Sequence, residues 1–362
     1  MKTVCFSVLF AFTTQFSTTG LIAQESSLGK TYKDNLVQSI ELLVRDNYVL
    51  RQKRNAIASQ VHRNNANGDY DGNDDFESLA EQLTSDLQAV SGDSHFLVVY
   101  DPTRVAEMRV EDAEDEQSDE EMERIANRRL ERERRANFWF RRVEILDGNI
   151  GYLDLRFFSS ASDASGTAHA AMAFLAHSDA IIVDLRNNVG GGAPMFILLA
   201  SYFFGDSPVH LGDIYNATSG ETQEFWTRPD LPVHRMPDIR LYLLTSNRTF
   251  SAAEEFAYDL KQLKRAVIVG EPTGGGAHMV TRMELNDEYY INMPFAGAVN
   301  PITQSNWESV GVLPDLEVKS ADALEAAHIM ILKQIIVDTT DEEHREELEA
   351  TLAGLELHES HR

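Results

Sequence analysis

The chain has 362 residues, 43% of them hydrophobic, and carries 58 acidic against 32 basic residues for a formal charge of −26. Such a length buries a full core and points to about two domains, and so acidic a balance disfavours nucleic acid or an anionic membrane as partner. The single cysteine, Cys5, lies in the leading segment, so the processed chain has no thiol or disulfide; this excludes zinc or catalytic-cysteine chemistry, predicts no metal or other cofactor, and leaves stability to the core.

In chain order, Lys2, an apolar stretch over 4–12 broken by Ser7, and Leu21, Ile22 and Ala23 before Gln24 read as a secretory signal over 1–23. That stretch is too short for a transmembrane anchor. The expectation is export to a periplasmic or extracellular location without stable membrane insertion. Residues 24–101 read as an N-terminal helical domain, with Leu36, Ile40, Leu43 and Val44 on one stripe, a second stripe over 80–87, and a polar loop over 64–75 between them. The segment 102–136 is a charge-dense helical linker, acidic first and basic later, with Met122, Ile125 and Leu130 as its few apolar residues; it reads as an exposed helix or loop stabilised by i, i+4 pairs. From 137 to 320, apolar strands (143–145, 150–155, 180–183, 241–244, 267–269, 291–293) alternate with helical stretches, the pattern of an α/β domain. Residues 321–362 read as a helix to 337 and then an acidic tail, a solvated or interacting extension.

Four motifs carry chemistry. Ser251 follows the strand 241–244 and opens a helix in which Phe256, Leu260 and Leu263 share a stripe. A serine there satisfies an orphan amide as an N-cap, or is displayed as a nucleophile if a base and an oxyanion hole lie elsewhere in the chain. DLRNNVGGG (184–192) follows a second buried strand, and its three glycines let backbone amides approach a ligand; without a Lys-Ser/Thr pair or GxGxxG spacing it is not a nucleotide loop. SGDSHFLVVYDP (91–102) places His95 where a tight turn enters a strand, and NWESVGVLPD (306–315) places Glu308 before a Gly-Val turn, where a glutamate is ordinarily only solvated.

With these motifs stand ILDGNIGYLDL (145–155), FWT (225–227), TFSAAEEFAY (249–258) and KRAVIVGEPTGGGAH (264–278). Together, and in this order, they make the chain from about residue 36 to 318 resemble the C-terminal processing (tail-specific) serine peptidases. The resemblance is to the branch shared by the tricorn core protease and the repeats of interphotoreceptor retinoid-binding protein. It implies a ClpP/crotonase-like ββα catalytic domain after the helical one, Ser251 as nucleophile, His95 as base, Ser94 and Glu308 as the relay orienting His95, and the amides of Gly190 and Ala252 as oxyanion hole. Better-known members use a Ser-Lys dyad, and here Gly276 stands in the lysine's place, while Lys261, Lys264 and Arg265 fall on or just after the helix. The segment between 102 and 137 is too short for the substrate-tethering PDZ domain of many relatives. There is no GxSxG elbow, which argues against an α/β-hydrolase.

Two functions remain open. One is a secreted serine peptidase acting on polypeptide; the other is a non-catalytic module holding hydrophobic ligands, as the retinoid-binding relatives do. The presence of Ser251, His95, Ser94 and Glu308 together favours the peptidase. The oligomeric state is not legible.

Overall fold

The computed structural model describes residues 28–113, 119–159, 164–232 and 234–359. The signal-like leader and Cys5 lie outside the described residues, as do the side chains of Met122 and Ile125.

Three helices open the fold: α1 (Lys30–Asn47), α2 (Arg51–Asn67) and α3 (Phe76–Ser91). Leu36, Val37, Ile40 and Val44 form the buried stripe of α1. The stripe is interrupted after Asn47, where the Val49 amide donates to the Pro294 carbonyl at 2.8 Å. Gly68 ends α2 with φ +83°, a left-handed stop that glycine adopts without cost, so the loop is shorter than its polar composition implies. Asp75 caps α3 by accepting from the Ser78 amide at 2.7 Å.

Next come β1 (Leu97–Tyr100), α4 (Pro102–Ala113) and α5 (Asp119–Arg135). The charged segment is helical but not wholly solvated: Glu133 is buried, pairs with Arg129 at 3.0 Å and accepts a short hydrogen bond from Ser159.

The rest comprises β2 (Phe140–Leu146), β3 (Ile150–Leu155), α6 (Ala164–Phe174), β4 (Ala180–Asp184), α7 (Ala193–Ser201), β5 (His210–Asn216), β6 (Thr222–Trp226), β7 (Arg240–Thr245), α8 (Ala252–Gln262), β8 (Val267–Gly270), β9 (His278–Glu284), β10 (Tyr289–Val299), β11 (Leu316–Glu317), α9 (Ala323–Asp338) and α10 (Glu342–Glu359). One sheet runs β11-β8-β7-β4-β3-β2, parallel except at the β2–β3 pair. Strands β3 and β4 are buried along their whole length, which is why they read as continuous apolar runs instead of alternating ones. Phe196, Phe256 and Leu175 belong to the core on the face covered by α6, α7 and α8, and Ile331, Leu332 and Leu348 to the core under α9 and α10. The acidic stretch after 337 is in large part a helix packed through Leu348.

A second sheet runs β1-β10-β5-β6 with β9 also on β10. Here β1 pairs with β10, and Tyr289, Ile291 and Met293 share one core with Leu36, Tyr48 and Phe96. The helical segment and the α/β part are therefore stitched together across residue 101, and no PDZ-sized insertion separates them. Strands β5, β6, β9 and the two-residue β11 have no counterpart in the sequence reading, because they are mostly polar or half-exposed, with too little alternation to mark a buried face.

Candidate active site

Ligand sites in open parallel sheets form at the carboxyl ends of strands, and the two glycine-rich or serine-bearing loops leave β4 and β7 at that edge. They are tied to each other: Ser246 Oγ donates to the Arg186 carbonyl at 2.6 Å and Thr249 Oγ1 to that of Leu185 at 2.8 Å. Ser251 lies at the N-cap of α8 with φ 55° and ψ −126°, a conformation costing an L-residue about 1–3 kcal/mol. Glu254, one helical turn on, holds it there by accepting from the Ser251 amide at 2.8 Å. The same buried carboxylate also accepts from Thr273 Oγ1 (2.6 Å), Gly275 N (2.6 Å) and Gly276 N (2.9 Å). Burial pushes the Glu254 carboxyl upward, against the pull of these donors. Sequence reasoning passed over Glu254, although Ser251-Ala-Ala-Glu254 has the spacing of a capping box.

Gly190, with φ +105°, packs so closely that a Cβ would come within 2.8 Å of Ser251 Cβ and 3.2 Å of the Ala252 amide nitrogen. Its amide, expected to face an oxyanion, donates to Asn188 Oδ1 at 2.9 Å. Gly191 lines the cleft beside Ser251 and Ala252, and among the described residues neither the Gly191 nor the Ala252 amide meets an acceptor.

The histidine side is built from three separated segments. His95 Nδ1 lies 3.1 Å from Asp93 Oδ1 and 3.1 Å from Glu308 Oε1. His278 Nδ1 lies 2.7 Å from Asp93 Oδ2, to which the Tyr48 hydroxyl donates at 3.2 Å. The amides of Ala277 and His278 donate to Glu308 Oε2 at 2.8 and 3.0 Å. Ser94 is outside this network. The turn draws Asp93 inward to accept from the His95 amide at 2.9 Å, so Ser94 is exposed, and Glu308 reaches His95 without the expected serine relay. Asp93 and His278 were not singled out from the sequence, though both sit in quoted motifs. No local spacing links them, since the fold alone brings residue 93 to residue 278.

The hydrogen bonds to Asp93 and then Glu308 push the His95 imidazole up to about 10, against burial. Burial alone would raise Asp93, but its bonds to His278 and His95 hold it well below the usual carboxylate range. Glu308 is likewise lowered by His95 and His278 in spite of burial.

The two halves meet through residues 276–278. Ser251, Ala252, Gly276, Ala277 and His278 line one cleft of about 870 Å³, whose apolar wall includes Phe196, Phe225 and Trp307. Ser251 and His95 share no hydrogen bond. Where the dyad relatives carry lysine, a Cβ on Gly276 would stand 2.1 Å from the Phe250 ring. Lys261 is occupied elsewhere, donating to the Leu313 carbonyl at 2.6 Å and pairing with Asp315 at 2.8 Å. Below the cleft, Glu255 and Asp259 are buried and held well above the usual carboxylate range, by burial first and by neighbouring carboxylates, Asp213 among them.

Comparison with known proteins places this geometry. Residues 149–318 match Peptidase family S41, and residues 30–147 match an N-terminal domain described for that family in eukaryotic IRBP. Carboxyl-terminal-processing peptidase 2, chloroplastic, of Arabidopsis thaliana is 30% identical over 175 residues, covering 46% of this chain and 31% of the relative. The tail-specific protease of Haemophilus influenzae is 26% identical over 146 residues, covering 40% of this chain and 20% of the relative. The matches thus span about a third or less of those relatives' lengths. A solved structure of a peptidase candidate from Parabacteroides merdae ATCC 43184 shares the fold at 16% identity, with a TM-score of 0.57 over 83% of this chain and 96% of that one. Two adjacent family regions, spanning nearly all of 30–318, establish that the chain belongs to Peptidase family S41.

Proposed function

We propose that the protein is an exported serine peptidase that hydrolyses peptide bonds in polypeptide, with Ser251 as nucleophile and His95 as base. The observation that carries this is the backbone of Ser251, held at positive φ by Glu254 in a cleft beside the unpartnered Ala252 amide. Strain of this kind persists where a site needs a side chain presented in one direction. The Ser251 hydroxyl attacks the carbonyl carbon, its proton passes to the deprotonated imidazole of His95, and the amides of Ala252 and Gly191 receive the oxyanion. The imidazole returns the proton to the leaving amine, and water then releases the acyl group by the same route. Asp93 and Glu308 hold the ring and stabilise the imidazolium.

Export rests on the leader over 1–23; among the described residues no helix is long and apolar enough to cross a membrane. The apolar cleft wall favours a second reading, a binder of hydrophobic ligands. A fluorophosphonate probe decides between them: labelling of the wild type and not of Ser251→Ala supports the peptidase, and an unlabelled wild type at every pH supports the binder.

A further inference from the structure

His95 and the three side chains around it do more than share protons. Their facing atoms all lie within 4.8 Å of one another. The separations are 3.1 Å (His95 Nδ1 to Asp93 Oδ1), 3.1 Å (His95 Nδ1 to Glu308 Oε1), 2.7 Å (His278 Nδ1 to Asp93 Oδ2) and 3.7 Å (His278 Nδ1 to Glu308 Oε2). A tetrahedral ion with ligands at ~2.0–2.1 Å requires donor separations of about 3.3 Å; each carboxylate turns one oxygen to His95 and the other to His278, so taking up the ion means drawing one oxygen of each, with the two Nδ1 atoms, in from separations of up to 4.8 Å. Two imidazoles and two carboxylates are a complete tetrahedral set. We propose that Asp93, His95, His278 and Glu308 form a site for a zinc-type divalent cation, whose occupancy pins His95 and silences Ser251.

Donor chemistry selects the ion. Imidazole with carboxylate suits zinc and its neighbours in the first transition row, whereas calcium and magnesium take six or more oxygens and are poorly served by two ring nitrogens. The carboxylates are already aimed from behind: the Tyr48 hydroxyl and the His95 amide hold Asp93, and the amides of Ala277 and His278 hold Glu308. Partners of this kind are what orient ligands in metal sites. An imidazole takes a cation only through an unprotonated nitrogen, so protons compete with the ion and affinity falls as pH falls. The absence of thiols excludes only thiolate zinc sites, and the sequence reading went too far in extending it to zinc generally. The site itself does not depend on the peptidase reading; the silencing does.

The test is calorimetric titration of the full chain, stripped with chelator, using zinc chloride and then magnesium chloride, in the wild type, Asp93→Asn and His278→Gln. Expected is one equivalent of zinc per chain, no comparable magnesium uptake, zinc affinity at least ~10-fold weaker in either variant, and a zinc-dependent rise in melting temperature in the wild type only. Cobalt on the wild type, which needs no variant to fold, should show the intense visible bands of a tetrahedral ion. Absent saturable uptake, equal uptake in variants with unchanged circular dichroism, or a cobalt spectrum without tetrahedral bands overturns the site. Fluorophosphonate labelling that persists at saturating zinc overturns the silencing, and a metal-free chain that never labels overturns the peptidase reading instead.

Discussion

Ser251 and His95 are held by opposite means. On the serine side the work is done by backbone: positive φ at Ser251 and Gly190, amides aimed into a cleft, and one carboxylate, Glu254, gathering three amides and a hydroxyl. On the histidine side it is done by charge, with two carboxylates converging on His95 and on His278 as well. Backbone dipoles fix position without committing a proton, whereas a charge cluster fixes position by deciding where the protons sit. The serine half should therefore respond chiefly to steric and hydrogen-bond changes, and the histidine half to pH and to cations.

The comparison breaks most sharply at Ser251→Ala, which should lower hydrolysis of a denatured protein substrate by on the order of 10⁴-fold or more with an unchanged circular dichroism spectrum. Comparable turnover in the variant removes the nucleophile assignment.

Next in size is pH. His95 is pushed up to about 10, so most of it is imidazolium at neutral pH, and the basic form grows as pH rises. Ser251 labelling should climb on the order of 10²–10³-fold between pH 7 and 10. A plateau reached near ~6.5, the ordinary histidine value, means that the carboxylates do not grip the ring in solution. Stability carries the matching sign: the His95 contribution is complete below ~6.5 and is lost as pH rises through about 10. That of the lowered Asp93 is present above ~3.9 and is lost on acidification.

Glu308→Gln should lower kcat by roughly 10²-fold, leave KM nearly unchanged, and move the acid limb of the profile toward lower pH, because one of two carboxylates raising His95 is gone. A raised KM alone places Glu308 on the substrate. The smallest effect is on stability: Glu254→Ala strands four donors around the serine loop and should cost at least ~2 kcal/mol in urea unfolding, with the midpoint insensitive to pH between 7 and 10. A pH-dependent loss there contradicts the division between the two halves.

The order of strands and helices around Ser251 and the glycine loop was legible because β3, β4 and β7 are apolar runs punctuated by glycine or serine at their ends. His95 and Glu308 were legible through motif resemblance. What could not be read is how they meet. Around Ser94 and Gly190 the details lie in turn geometry that no motif spells out: Asp93 turning inward and Asn188 accepting an amide. His278 lies 183 residues from His95 in sequence, and only the β10 sheet, whose strands include both β1 and β9, brings the two rings within 6.3 Å.

Gly276 ties the serine loop to its neighbour by volume. The space a longer side chain would need there is filled by the Phe250 ring, one residue before Ser251. A lysine placed there meets the far end of that ring, so it fits only if Phe250, 39% exposed, swings outward. The residue at 276 is thus constrained by the volume of Phe250 as well as by its distance from the serine.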